Sequence, residues 1–220
     1  MDKFRHIDTW VFDLDNTLYD AETGVFTKIG DRMTIYVADL LQVSQEEAGK
    51  LRKEYWKKYG TTLHGLMQEH KIDPDSFLVH AHDIDISDVP QCAVIKEYLT
   101  HLPGKKIVFT NSSRDFAARM TRQLGIDHHF EHMFTIEDAG FMPKPFAEPY
   151  HAIIEKFAFD PHHAVMFEDM EINLKTAAEL GMTTVWLHGK DRDEAAAALP
   201  HVHYKAEKLA DWLQHTIKKR

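Results

Sequence analysis

The chain is poor in cysteine, with Cys92 alone among 220 residues, and no apolar run approaches the roughly 20 residues that a membrane helix requires. A lone thiol excludes an internal disulfide and suits a reducing compartment. No motif surrounds Cys92, which reads as an ordinary half-buried residue ahead of a helix. Basic residues are also scarce: 26 Lys and Arg stand against 35 Asp and Glu, a formal net charge of -9. That balance argues against nucleic-acid polymers and anionic membrane surfaces as partners, because both need a basic face. The start Met1-Asp2-Lys3-Phe4-Arg5-His6 leads straight toward a strand without the apolar segment of a signal peptide, so the expectation is a cytoplasmic protein. Internal repeats and low-complexity tracts are missing; Glu194–Ala198 reads as alanine-rich helix. What is present is 44% apolar residues, enough for one large domain or a domain with an insert.

Four apolar runs, β-branched or aromatic and bounded by turns, read as buried parallel strands: Thr9–Asp13, Lys106–Thr110, Ala164–Phe167 and Thr183–Leu187. A weaker one lies at His132–Thr135. Helical patterns at Arg114–Leu124 and Glu171–Leu180 stop at Gly125 and Gly181, where a helix end favours a left-handed residue. Strand, helix and glycine in repetition predict a doubly wound, Rossmann-like α/β sheet.

Residues 18–89 break that rhythm. A crossover needs only about a dozen residues, and this interval is several times longer, with no convincing strand. Val25, Ile29, Met33, Tyr36 and Leu40 recur at helical spacing, and Val37 and Leu41 widen the stripe. Ser44 with Glu47 forms a capping-box pattern opening a helix toward Tyr59. Asp73-Pro74 reads as an N-cap and first-turn proline opening another helix through His80. The prediction is a core of residues 1–17 and 90–220 with an inserted helical cap, residues 18–89, above the end of the first strand. A single decorated loop of that length is rare in a compact domain.

The chemistry-bearing residues cluster at strand ends. Val11 to Asp20 reads V-F-D-L-D-N-T-L-Y-D, placing Asp13 and Asp15 on one side of an extended backbone. Such a pair can hold a divalent cation or divide into nucleophile and acid; taken alone it also fits two solvated turn aspartates. The second strand ends in Thr110-Asn111-Ser112, which offers a hydroxyl and backbone N–H groups to an oxyanion. Lys144 stands between Pro143 and Pro145, and the strand at 164–167 ends in Glu168-Asp169, with Asn173 four residues beyond Asp169. Each signal is weak by itself; four in order at successive strand ends are specific.

D-L-D-N-T, T-N, K-P and E-D-x-x-x-N together resemble the four motifs of the haloacid dehalogenase superfamily of phosphohydrolases, across nearly the whole chain. The stretch Tyr59-Gly60-Thr61-Thr62-Leu63-His64-Gly65-Leu66 is similar to one in the pyrimidine 5′-nucleotidase branch. The resemblance implies Mg²⁺-dependent hydrolysis of a small phosphorylated substrate through an aspartyl phosphate on Asp13. It implies a cation held by the Asp13 carboxylate, the Asp15 main-chain oxygen and Asp169, with Glu168 reaching the metal through water. Lys144 would neutralise Asp13 and the transferring group, and Thr110 with the N–H groups of Leu14 and Asn111 would bind phosphoryl oxygens. Asp15 would protonate the leaving alkoxide and later take a proton from water. Asn173 would orient the metal loop, or lie on a helix surface.

Several alternatives share the core motifs. A dehalogenase has no need of an acid at position 15, so Asp15 favours phosphoryl chemistry; phosphoglycolate or sugar-phosphate phosphatases, phosphomutases and a non-catalytic phospho-ligand regulator share the motif set. In the cap, His64 and Tyr19 are expected at the substrate, and Phe26 either lines the cleft or is buried. The pairs His80/His82, His128/His129, His162/His163 and His201/His203 lack carboxylate or thiolate partners at ligand spacing and read as solvated. Trp56, Trp186 and Trp212 lie in periodic segments and are expected in core or interface.

Overall fold

Strands apolar on both faces are stable only between two covering layers, and that requirement organises the molecule. A computed structural model describes residues 2–190 and 199–217, so Glu194–Ala198 lies outside the described residues. Six parallel strands form one sheet in the order β3-β2-β1-β4-β5-β6. They are β1 (Thr9–Phe12), β2 (Lys105–Phe109), β3 (His132–Phe134), β4 (Ala164–Glu168), β5 (Thr183–Leu187) and β6 (Tyr204–Ala206). The order reverses between β1 and β4, so their C-terminal ends flank the crevice where doubly wound sheets bind ligands.

Alternation along β1 divides the core. Trp10 and Phe12 pack with side chains of α5 (Ala93–His101), α6 (Arg114–Gln123) and α9 (Leu209–Thr216), while Val11 joins the opposite cluster with α7 (Ala147–Phe157) and α8 (Glu171–Glu179). The ladder runs past the strand ends: Asp13 N–H donates to Phe167 O at 2.9 Å and Thr110 N–H to Phe134 O at 3.0 Å. The two motif residues are therefore held as firmly as strand residues. Gly125 (φ 68°) and Gly181 (φ 98°) follow α6 and α8 in the left-handed region, as their helix-stop positions predict.

Between β1 and β2 lie α1 (Val25–Leu41), α2 (Gln45–Tyr59), α3 (Thr62–His70) and α4 (Pro74–His82). They share their own apolar cluster, including Val37, Ala48, Leu66 and Phe77. Ser44 Oγ accepts from Glu47 N–H at 3.2 Å, and the Asp73 carboxylate from Asp75 N–H at 3.2 Å. Leu40 lies at the edge of the α1 stripe and is exposed. Helix α4 runs two residues past the expected end and buries His82, so the reading of that histidine as solvated is corrected. Among the described residues, no helix is long and apolar enough to cross a membrane.

Candidate active site

Lys144 is the centre of the arrangement at the C-terminal ends of β1, β2 and β4. Its ammonium donates to Asp13 Oδ1 (2.7 Å), Glu168 Oε2 (2.7 Å) and the main-chain oxygen of Phe109 (2.9 Å), and the residue is 2% exposed. Three acceptors match the three protons an ammonium carries. Asn111 fixes the loop that delivers it: Asn111 Oδ1 accepts from Lys144 N–H at 2.9 Å, and Asn111 Nδ2 donates to Lys144 O at 3.2 Å. Thr176 Oγ1 donates to Pro145 O at 2.6 Å, tying the same loop to α8.

Asp15 is half-buried and held from two sides. Ser112 Oγ donates to its Oδ2 at 2.6 Å, and the Tyr19 hydroxyl donates to Oδ1. Tyr19 is therefore a buried support for Asp15, one turn along the chain, and is not among the residues lining the cleft. Thr110 is buried, and its Oγ1 accepts from Ser112 N–H at 2.9 Å, which closes the turn that presents Ser112. Leu14 has a fully buried side chain. Asn173 is buried, with its main-chain oxygen accepting from the Tyr150 hydroxyl at 2.6 Å. Sequence reasoning passed over Ser112 as a side chain; the signal available was its place in the Thr110-Asn111-Ser112 turn.

The electrostatics favour a cation. Burial pushes Asp13 above the usual carboxylate range, with the Glu168 charge adding and Lys144 opposing. Burial likewise raises Glu168 against the pull of Lys144. For Lys144, burial favours loss of the proton, but Asp13 and Glu168 outweigh it and hold the ammonium charged. Carboxylate oxygens of Asp13, Glu168 and Asp169 lie within 4.8 Å of one another, and Lys144 pairs with Asp13 and Glu168, so one ammonium stands against three buried carboxylates. Beside them Asn16 Nδ2 donates to Asp169 Oδ2 at 3.3 Å, while Asn16 Oδ1 is buried with no hydrogen-bond partner among the described residues. An excess of buried negative charge with an all-oxygen donor set fits a hard divalent cation such as Mg²⁺. Asp15 is also raised by burial, against the hydrogen bonds from Ser112 and Tyr19, which brings a carboxylic acid closer to a proton-donating range.

Above these residues lies a cavity of about 720 Å³, within the range of small-molecule sites. Its floor includes Asp13, Asp15, Asn111, Ser112, Lys144 and Asp169, and its roof comes from α1, α2 and the start of α3. Phe26 lines it and is exposed. Trp56, expected in core or interface, is 48% exposed on the cavity wall, whereas Trp186 and Trp212 are buried. His64 is not a lining residue: its ring packs against Tyr59 and Phe146, at centroid distances of 6.3 and 5.8 Å.

Aspartates after the first strand, a lysine from the loop before α7 and an acidic pair at β4 define a hydrolase site on a doubly wound sheet. Residues 7–181 match the family model of the haloacid dehalogenase-like hydrolases, and the chain belongs to that family. It is 26% identical over 188 residues to Phosphate metabolism protein 8 of Saccharomyces cerevisiae, covering 78% of this chain and 58% of the yeast protein, less than two thirds of that relative. Pyrophosphatase PpaX of Bacillus pumilus is 23% identical over 217 residues, 94% of this chain and 95% of that protein. Among solved structures, a HAD phosphatase from Thermococcus onnurineus shares the fold with a TM-score of 0.65 and 16% identity, over 97% of this chain and 100% of its own.

Proposed function

We propose that this hydrolase is a Mg²⁺-dependent phosphatase acting through an aspartyl phosphate on Asp13, with nucleoside 5′-monophosphates, pyrimidine ones first, as substrates. The observation that carries the reading is Asp15: a second carboxylate two residues beyond Asp13, raised by burial and held by Ser112 and Tyr19. Displacing a halide needs no proton donor, whereas expelling an alkoxide does.

In the first step an Asp13 oxygen bonds to phosphorus as the bond from phosphorus to the leaving oxygen breaks, and the Asp15 proton passes to that oxygen. In the second, Asp15 takes a proton from water, whose oxygen bonds to phosphorus and releases Asp13. Inorganic phosphate departs and Asp15 is protonated again. Lys144 holds Asp13 in place and offsets charge on the transferring group, and Asn111 keeps Lys144 positioned. Asp13, Asp169 and the Asp15 main-chain oxygen would hold the cation, with Glu168 engaged by Lys144. Bound there, Mg²⁺ supplies charge neutralisation between an anionic nucleophile and an anionic phosphate.

Residues 18–89 serve as the cap that selects the leaving group. The nucleotide assignment is supported by the Tyr59–Leu66 resemblance and by a cavity walled with aromatic side chains. A phosphate-release screen with Mg²⁺ tests it: kcat/KM for UMP or CMP should exceed that for AMP or GMP by at least roughly tenfold, about 1.4 kcal/mol. Asp13→Asn should retain less than about a hundredth of turnover with the fold intact. A screen in which phosphoglycolate or a hexose phosphate outran every nucleotide would move the substrate assignment and leave the Asp13 chemistry standing.

A further inference from the structure

The cavity wall leaves two large aromatic side chains open: Phe26 on α1 is 58% exposed and Trp56 on α2 is 48% exposed. The same fold buries Trp10, Trp186 and Trp212 almost completely, so an open tryptophan over the site stands apart. Helices α1 and α2 are packed neighbours joined by residues 42–44, and so run antiparallel. They meet where Arg52 Nη1 donates to the main-chain oxygen of Gly30. Phe26 precedes Gly30 by one helical turn and Trp56 follows Arg52 by one turn, so antiparallel packing brings the two aromatics to the same level beside the guanidinium.

Arg52 lines the cavity and is half-buried. Among the described residues it makes one side-chain hydrogen bond, to Gly30 O, and no ion pair; Asp31 contributes only a more distant charge. A guanidinium carries five N–H donors and no acceptor, so donors remain for whatever occupies the cavity. Gly30 is what admits it: a Cβ at position 30 would lie 2.7 Å from Nη1 and 3.2 Å from Nη2. Gly30 has no positive φ that would require glycine, and glycine is a poor helix former in mid-helix. Its observed consequence is room for Arg52.

We infer that Arg52, seated on Gly30 with Phe26 and Trp56 beside it, is the subsite that reads the base of the leaving nucleoside. The aromatic rings stack on the planar base and the guanidinium donates to its ring carbonyl oxygens. Uracil and cytosine both carry such a carbonyl and adenine carries none, so a donor-only side chain favours them over adenine; guanine keeps a carbonyl at C6, and its second ring is discriminated by the size of the cavity. This inference rests on the nucleotidase reading above and assigns it residues.

The test compares kcat/KM for UMP with that for ribose 5-phosphate, which has the same phosphoryl group and sugar but no base. In the wild type the ratio should favour UMP by roughly tenfold or more, the scale of one stacked base. Gly30→Ala displaces only the far end of a flexible side chain and improves the helix, so its Tm should equal or exceed that of the wild type. Its ratio should fall toward unity, chiefly through a higher KM for UMP, and Trp56→Leu should do the same. A folded Gly30→Ala protein that keeps its UMP preference within about twofold overturns the subsite while the nucleotidase reading stands. A wild-type ratio near unity defeats the nucleotidase reading itself and the subsite with it. If Trp56→Leu fails to fold, Gly30→Ala decides alone.

Discussion

Ser112 Oγ donates to Asp15 Oδ2 across 2.6 Å, joining the ends of two adjacent strands that are 97 residues apart in the chain. Ser112→Ala removes one of the two side-chain bonds that orient Asp15. A hydrogen bond to a charged group contributes about 1.5–3 kcal/mol, so kcat for an alkyl phosphate should fall by tenfold or more with KM little changed. Steady-state kinetics on UMP check this, and an unchanged kcat would remove Ser112 from the proposed machinery.

Asp15→Asn separates the acid from the nucleophile. Alkyl phosphates need a proton on the leaving oxygen, whereas nitrophenolate departs unaided. Single-turnover phosphorylation of Asp13 should therefore be crippled with UMP and much less affected with p-nitrophenyl phosphate. Equal losses on both substrates contradict Asp15 as general acid.

Metal removal gives a direct check on the acidic cluster of Asp13, Glu168 and Asp169. Activity should vanish in EDTA and return with Mg²⁺, while Ca²⁺ should inhibit because its looser coordination misplaces the nucleophile. Full activity in exhaustively chelated buffer would sink the metal assignment.

Lys144→Met deletes the cation shared by two buried carboxylates. Removing one partner of a buried ion pair commonly costs about 3–5 kcal/mol, so urea denaturation in EDTA should show a loss of that order. Added Mg²⁺ should restore part of it by occupying the same excess of negative charge. Stability equal to wild type in EDTA would show that the carboxylates tolerate burial unpaired.

His82, on the wall of the same cavity, offers a stability test. Its Nδ1 lies 2.9 Å from Ser113 Oγ, its ring stacks on Phe116 at 4.7 Å, and burial, aided by the nearby Arg119, pulls its pKa from 6.5 down to about 4. The folded state therefore keeps His82 neutral while the unfolded chain takes up a proton below pH 6.5. Its contribution is full above that pH and is lost as pH falls toward 4, by roughly 3 kcal/mol. His82→Gln should lie below wild type in thermal melts near neutral pH, with the gap closing as pH falls through this window. A gap that stays constant rules out the linkage.

Much of this was legible in the residues themselves. Asp13, Lys144 and Asp169 are far apart in the chain, yet each announced itself by following an apolar run or standing between prolines. The strand periods, Gly125, Gly181 and the Ser44–Glu47 pair marked elements whose ends agree with the structure to within a residue or two. Strand β6 escaped because three residues at a sheet edge are too few to show a period, and α3 because its nine residues carry only a weak apolar stripe.

The sequence by itself determined the doubly wound sheet and the family, because hydrophobic period and the residues at strand ends are local properties that survive without coordinates. Only the tertiary structure decided which cap side chains face the site. His64 and Tyr19 carried the right chemistry near the right motifs, but one packs between Tyr59 and Phe146 and the other lies beneath Asp15. Trp56 was expected in core or interface and Arg52 belongs to no motif; the pairing of α1 and α2 across Gly30 brings both to the cavity. Which face of a helix meets a cavity depends on the packing of its neighbour, and no short window of sequence contains that neighbour.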